Sequence, residues 1–401
     1  MYKLRPWEGN FKVKAKKINT TSLYAFLTLI SVVTAILVIL ISKGKLIKIF
    51  FFPDYNDCLM DFFNSLIEVH TKHPYKDFSV LYPPLANLFF YVLFSFVPLN
   101  DLSVLPYSHE EAIRLVGTPN DIRLHQTCML LFLFTFLVSV LFFVFLMQKF
   151  SMPKSNLVIF CLFFTFPMLQ AMERGNIVLL PFGITLFFYL YHESSNRILR
   201  ELSILALAIA FGFKLYPAFL GVLLIKEKRV KDIIKAFIYA ILVTIIPLII
   251  MDDLPGLFTW FDILLTYGTD MTALELVVRN IAMLICVLFI VLDVLAAFTK
   301  RPLVRLTKSQ SLMLIIWLMV LINGNLDGLV LMFTIIPFVL FLKEEPVLNK
   351  YNIIEFIVYM VCLLPLGINK LNYYFLPLFL VGGIIRTKMR QDEEGLAGIK
   401  L

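Results

Sequence analysis

From Leu23 to just short of Arg386, runs of about 20 apolar residues recur, each long enough to carry a helix across a hydrocarbon core. A chain built this way has few folds open to it, because inside a bilayer each backbone polar group must be satisfied within its own segment. The expectation is an all-α polytopic membrane protein. Sixty per cent of the 401 residues are hydrophobic and 16% charged, which leaves no stretch between the runs for a water-soluble domain. Candidate spans lie at 22–42, 83–99, 127–147, 155–170, 176–192, 202–225, 233–250, 279–298, 309–323, 328–343, 353–368 and 372–385, about twelve in all.

The charges report topology. A basic head, residues 1–21, carries Lys3, Arg5, Lys12, Lys14, Lys16 and Lys17, and the run after it is long for a signal peptide and lacks a small-x-small cleavage site. It reads as a retained first span with a cytoplasmic head. The clusters Lys226/Lys228/Arg229/Lys231, Lys300/Arg301/Arg305/Lys308 and Arg386/Lys388/Arg390 mark further cytoplasmic loops, whereas Asp252, Asp253, Asp262, Asp270 and Glu275 mark an outside one. The net charge of +8 sits in these clusters beside spans and not on one soluble face, so nucleic acid is not an expected partner. Five cysteines, at 58, 128, 161, 286 and 362, are scattered singly and support neither a disulfide framework nor a zinc site.

Strict alternation fails in the first half. It puts the weakly basic 148–154 loop outside and the segment 172–176 inside, so one early run is expected not to cross fully. Lys214 and Pro217 also interrupt an apolar run, as broken or re-entrant backbone does where protein or a wet cavity covers it.

One segment is polar without being a simple loop. At ~100° per residue, Asp57, Asp61, Asn64, Ser65 and Glu68 share one arc, and Leu59, Phe62, Phe63, Leu66 and Ile67 share the opposite one. That pattern predicts an amphipathic helix lying in the membrane interface within an outward loop, 43–82. Asp54, Asn56 or Asp57 would serve as its cap. An i, i+4 carboxylate pair is also what an ordinary solvated helix face presents.

Asp57, followed by Pro74-Tyr75 and then Tyr82-Pro83-Pro84-Leu85, resembles the first outward loop and second span of glycosyltransferase family 87, the DUF2029 membrane enzymes of the GT-C superfamily. Arg174-Gly175-Asn176 looks like that family's glycine-asparagine turn, and Lys214-Leu215-Tyr216-Pro217 like its lysine-aromatic-proline element. The resemblance implies a GT-C-type bundle of about 10–13 transmembrane helices. It divides the chain into a catalytic module at 22–230 and a C-terminal transmembrane bundle at 231–401. It also implies a polyprenyl-phosphate-sugar donor, a glycolipid or polysaccharide acceptor, a plasma-membrane location, and an outward-loop aspartate as catalytic base, matched by Asp57 with Asp61 as second candidate.

Sugar transfer from a lipid phosphate needs a proton acceptor and cations for the departing phosphate. Arg174 and Lys214 are the candidate phosphate ligands; an ordinary loop cation and a snorkelling lysine are the plainer readings of the same residues. Asn176, Tyr75, Tyr82 and Tyr216 are candidate substrate contacts, although aromatics are common at membrane interfaces. His70 and His73 read as solvated loop residues, and Asn323-Gly324-Asn325 with Asp327-Gly328 as a simple outside turn. No metal or other cofactor is expected, since two carboxylates are a thin ligand set. The competing class is a lipid-linked sugar flippase or secondary transporter, which would carry paired helix breaks in two related halves.

Overall fold

A computed structural model describes residues 18–51, 55–98, 111, 114–150, 154–266, 273–299, 306–323 and 328–366. The cations expected in the basic head, the 386–390 cluster, the 372–385 span, Lys300, Arg301, Arg305, Asp54, Asp270 and the centre of the Asn323–Gly328 turn lie outside the described residues.

The described chain is helical, and the sole β feature within it is an isolated bridge between Asn19 and Val347. Helices long and apolar enough to cross a membrane are α1 (Thr20–Ile41), the segment Gln126–Phe150, Val230–Ile250 and Leu276–Phe298. Large apolar side chains on them face outward uncovered by protein: Phe26 and Leu29, Phe134 and Leu141, Phe237 and Ile249, Leu284 and Leu288. Surfaces of that extent belong in lipid, and the chain is built as a polytopic membrane protein. Inside, Phe143, Phe182, Trp317, Phe333, Phe338 and Tyr359 are fully buried in the main core, and Phe62, Phe63 and Phe90 belong to a second one.

The twelve apolar runs do not become twelve spans of equal kind. The 155–170 run is a bent pair, α2 (Ser155–Leu162) and α3 (Phe166–Arg174), meeting at 49° with Pro167 in the first turn of the second. The 202–225 run is two elements: α4 (Arg197–Phe213) stops at Lys214, and the chain continues as a 3-10 turn, Tyr216–Gly221, and a short helix, Val222–Lys226. The 328–343 run begins as a 3-10 segment, Val330–Thr334, before Ile335–Glu344. The acidic loop expected outside contains a helix of its own, Gly256–Thr266, which the charges there concealed.

Hydrogen bonds and ion pairs sort the chain ends into two groups. At the proximal end Thr20 Oγ1 donates to the Glu345 carbonyl at 2.7 Å and Lys154 to Ser22 at 3.0 Å. His192 meets Glu227 at 2.8 Å, Lys226 meets Asp293 at 2.7 Å, and Ser309 meets Glu344 at 2.8 Å in the same group. At the distal end the Leu59 N–H donates to the Glu173 carbonyl at 2.8 Å and Trp260 to the Leu81 carbonyl at 3.2 Å. His73 lies 3.2 Å from Asp253 there.

This sorting identifies the run that does not cross. The 83–99 segment forms α5 (Pro84–Phe94), 11 residues and so about 16 Å long against about 30 Å of hydrocarbon. Its far end returns to the elements of the 43–82 loop, with Phe94 6.5 Å from the His70 ring and Tyr91 5.5 Å from the Lys72 ammonium. With this run removed from the count, residues 148–150 and 154 fall at the proximal end and 172–176 at the distal end, which reverses the parity that strict alternation assigned them.

Candidate functional site

The amphipathic segment forms α6 (Met60–Glu68), preceded by a one-turn 3-10 helix, Tyr55–Asp57. Its apolar face is not left to lipid. Phe62 and Phe63 are 1% and 0% exposed, and the Phe62 ring lies 5.4 Å from both Phe90 and Phe132. The helix is clamped by protein, with α5 lying under its apolar side as a wedge, because edge-to-face aromatic packing buries more than an interface would.

Leu59, just before this helix, is in the left-handed region at φ +65°, held there by the N–H bond to Glu173. Against it lies Gly175, also at φ +65°, where a Cβ would come 2.7 Å from the Leu59 carbonyl oxygen. Glycine is required on both counts: it ends α3 and lets the Arg174–Asn176 turn touch the first loop. Asn176 then continues the turn, its side-chain oxygen accepting from the Val178 N–H at 2.9 Å.

That contact brings the polar groups together. The Arg174 guanidinium lies between the two candidate carboxylates, Nη1 donating to Asp57 and Nη2 to Asp61. Asn176 Nδ2 donates to the other oxygen of Asp61 at 2.7 Å and reaches the Tyr82 hydroxyl at 3.4 Å. Arg123 steadies the loop by donating to the Cys58 carbonyl at 3.0 Å while paired with Asp121 at 2.7 Å. Its role was invisible in the sequence, where it stands alone in a polar stretch.

Facing α6 is the break after α4. Lys214 sits at the end of a helix and not at mid-span as the apolar run suggested, with its ammonium 4.0 Å from the centroid of the Tyr82 ring. The two walls enclose a cavity of about 400 Å³. Asp61, Asn64, Ser65 and Glu68 form one side, and Tyr82, Lys214 and Tyr216 form the other, with Arg174 and Asn176 between. Leu264, Leu329 and Val330 add an apolar patch. Burial, and after it the nearby Asp61 charge, push the Glu68 carboxyl up to about 7.

Of the residues singled out from sequence, Asp61, Arg174, Asn176, Lys214, Tyr82 and Tyr216 line this cavity. Asp57 touches it only through Arg174. Tyr75 stands behind the wall, its hydroxyl donating to the Tyr82 carbonyl at 3.0 Å and its ring 6.1 Å from that of Trp260. Asn64, Ser65 and Glu68 were legible as the polar arc of α6 but not as a cavity wall. The Leu329–Val330 contribution had no signal in the sequence.

A larger cavity, about 770 Å³, lies at the proximal end among Lys149, Lys226, Lys308, Lys343, Glu193 and Glu227. Lysines there match the carbonyl ends of helices stopping at Tyr191, Lys226, Phe298 and Glu344. His192, Glu193 and Glu227 come close enough together to hold a cation, but Arg229 already donates to Glu227 at 3.1 Å and Lys308 lies 3.5 Å from Glu193. No family model matches the chain, and no curated protein or solved structure matches it either.

Proposed function

We propose that this chain is an integral membrane glycosyltransferase of the GT-C kind. It moves a hexose or pentose, mannose-like in the first instance, from a polyprenyl-phosphate sugar to a cell-envelope glycolipid or polysaccharide, on the outer face of the membrane and with inversion. One observation supports this reading above the others. Of the elements that carry the family resemblance, Tyr82, Arg174, Asn176, Lys214 and Tyr216 line a single cavity at the distal end, and Asp57 is tied to it through Arg174.

On this reading Lys214 meets the departing phosphate as a point charge, since Arg174 is already engaged by Asp57 and Asp61. Tyr82 and Tyr216 offer faces to the sugar. The apolar patch by Leu329 and Val330 suits a polyprenyl chain arriving sideways from the bilayer. The distal end, with α6 packed on protein, lies outside, and the proximal lysines are cytoplasmic.

The test is a donor screen on the purified protein with polyprenyl-phosphate mannose, glucose, galactose and arabinose, and an alkyl glycoside as acceptor. Transfer from one of these is expected, and D57N and D61N should each abolish it while leaving the protein inserted and monodisperse. Full activity in both variants, or uptake of free sugar into proteoliposomes in place of transfer, would overturn the assignment in favour of a transporter.

A further inference from the structure

The carboxylates that the family resemblance selects are already occupied. One guanidinium holds Asp57 and Asp61 together, and both oxygens of Asp61 are engaged, one by Arg174 and one by Asn176. Asp57 does not line the cavity, and both Asp61 oxygens are already turned to protein donors and not to an acceptor hydroxyl. Two turns further along α6, on the same face, the Glu68 side chain lines the cavity and makes no hydrogen bond or ion pair among the described residues. Opposite it stand Tyr82, Lys214 and Tyr216.

We propose that Glu68 is the group that accepts the proton of the acceptor hydroxyl, and that Asp57 and Asp61 position Arg174 and the turn that carries it. This rests on the glycosyl-transfer reading and changes which residue does its proton chemistry. The acceptor oxygen attacks the anomeric carbon, and its O–H proton passes to the Glu68 carboxylate. The bond from the anomeric carbon to the phosphate oxygen breaks, and its electron pair leaves with the polyprenyl phosphate beside Lys214. Glu68 then returns the proton to that phosphate or to water. Burial and Asp61 hold the Glu68 carboxyl near neutral, where a general base works best. The other charged and titratable groups lining the cavity are Asp61, Arg174, Lys214, Tyr82 and Tyr216.

The sign of the pH dependence follows. The base is active when ionised, so turnover should rise with pH through about 7 and level off above it. The experiment compares E68Q, E68D and D57N in transfer from polyprenyl-phosphate mannose to an alkyl mannoside, and to azide, which attacks without losing a proton. E68Q should lose about 100-fold or more with the hydroxyl acceptor and stay within a few-fold of the parent protein with azide. E68D should keep part of the hydroxyl activity, and D57N should not be rescued by azide. Unchanged hydroxyl transfer in E68Q, equal loss with both acceptors, or azide rescue of D57N in place of E68Q would overturn the proposal. Labelling by dicyclohexylcarbodiimide, which reacts with protonated carboxyls, reads Glu68 without any substrate: it should be strong at pH 6 and fall away by pH 9. Absence of that decline would overturn the proposal as well. If the parent protein transfers from no polyprenyl donor while the labelling curve holds, the glycosyl-transfer reading fails and takes the role of Glu68 with it.

Discussion

Replacing Arg174 by Met keeps an unbranched apolar stem and removes the guanidinium that holds Asp57 and Asp61 together. Each charge-assisted hydrogen bond lost is worth about 1.5–3 kcal/mol, so the pair bounds the cost at about 3–6 kcal/mol. The side chains are 17%, 23% and 14% exposed for Arg174, Asp57 and Asp61, so water takes up part of the loss and about 2–4 kcal/mol is expected. Thermal unfolding of the detergent-solubilised protein should therefore begin several degrees lower in R174M. A second variant isolates the cause. R174M/D57N/D61N leaves no uncompensated charge and should regain most of the lost stability, because removing a whole buried ion cluster costs far less than removing one partner. Equal melting of R174M and the parent protein, or a triple variant less stable than R174M, would refute the idea that the guanidinium organises the site.

G175A meets both a left-handed backbone and the Leu59 carbonyl, so it should destabilise the distal end by about 2 kcal/mol or more, read as a lowered melting temperature together with lost transfer. K214M should weaken donor binding and turnover together by roughly tenfold or more, with K214R retaining part; unchanged donor KM and kcat would leave the phosphate site to be sought elsewhere. In a cysteine-free background, cysteines placed at Lys72 and at Ser95 should both react with an impermeant thiol reagent from outside, and cysteines at Lys154 and Lys228 should not. Labelling of the Ser95 position only from the cytoplasmic side would show that α5 crosses after all.

How much of this could be read from the chain depends on the range of the interaction. Helices show in the sequence because their apolar runs are contiguous, and the polar arc of α6 shows because its period is local. The failed parity of the first half pointed to a run that does not cross, but nothing in the composition of 83–99 marks it as that run; its shortness comes from where the helix ends and what it packs on. Arg174 and Asp57 were each visible as charged residues. Their pairing spans 117 residues and rests on Gly175 touching Leu59, a contact with no periodic trace. Lys214 looked intramembrane because the residues on both sides are apolar, whereas a helix end there turns it toward a cavity.

The same separation sets an order of events during synthesis. At about 5–20 residues per second, Arg174 leaves the ribosome about 6–23 s after Asp57, from which it is 117 positions removed. For that interval Asp57 and Asp61, four residues apart in sequence, lack the Arg174 guanidinium, so they must stay in water while the crossing at 126–147 and then the bent pair are inserted. Only when the turn at Gly175 emerges can Asp57 and Asp61 be closed against Arg174. The cavity is thus closed by the arrival of a later crossing, and a nascent chain halted before residue 174 carries the carboxylates without the site.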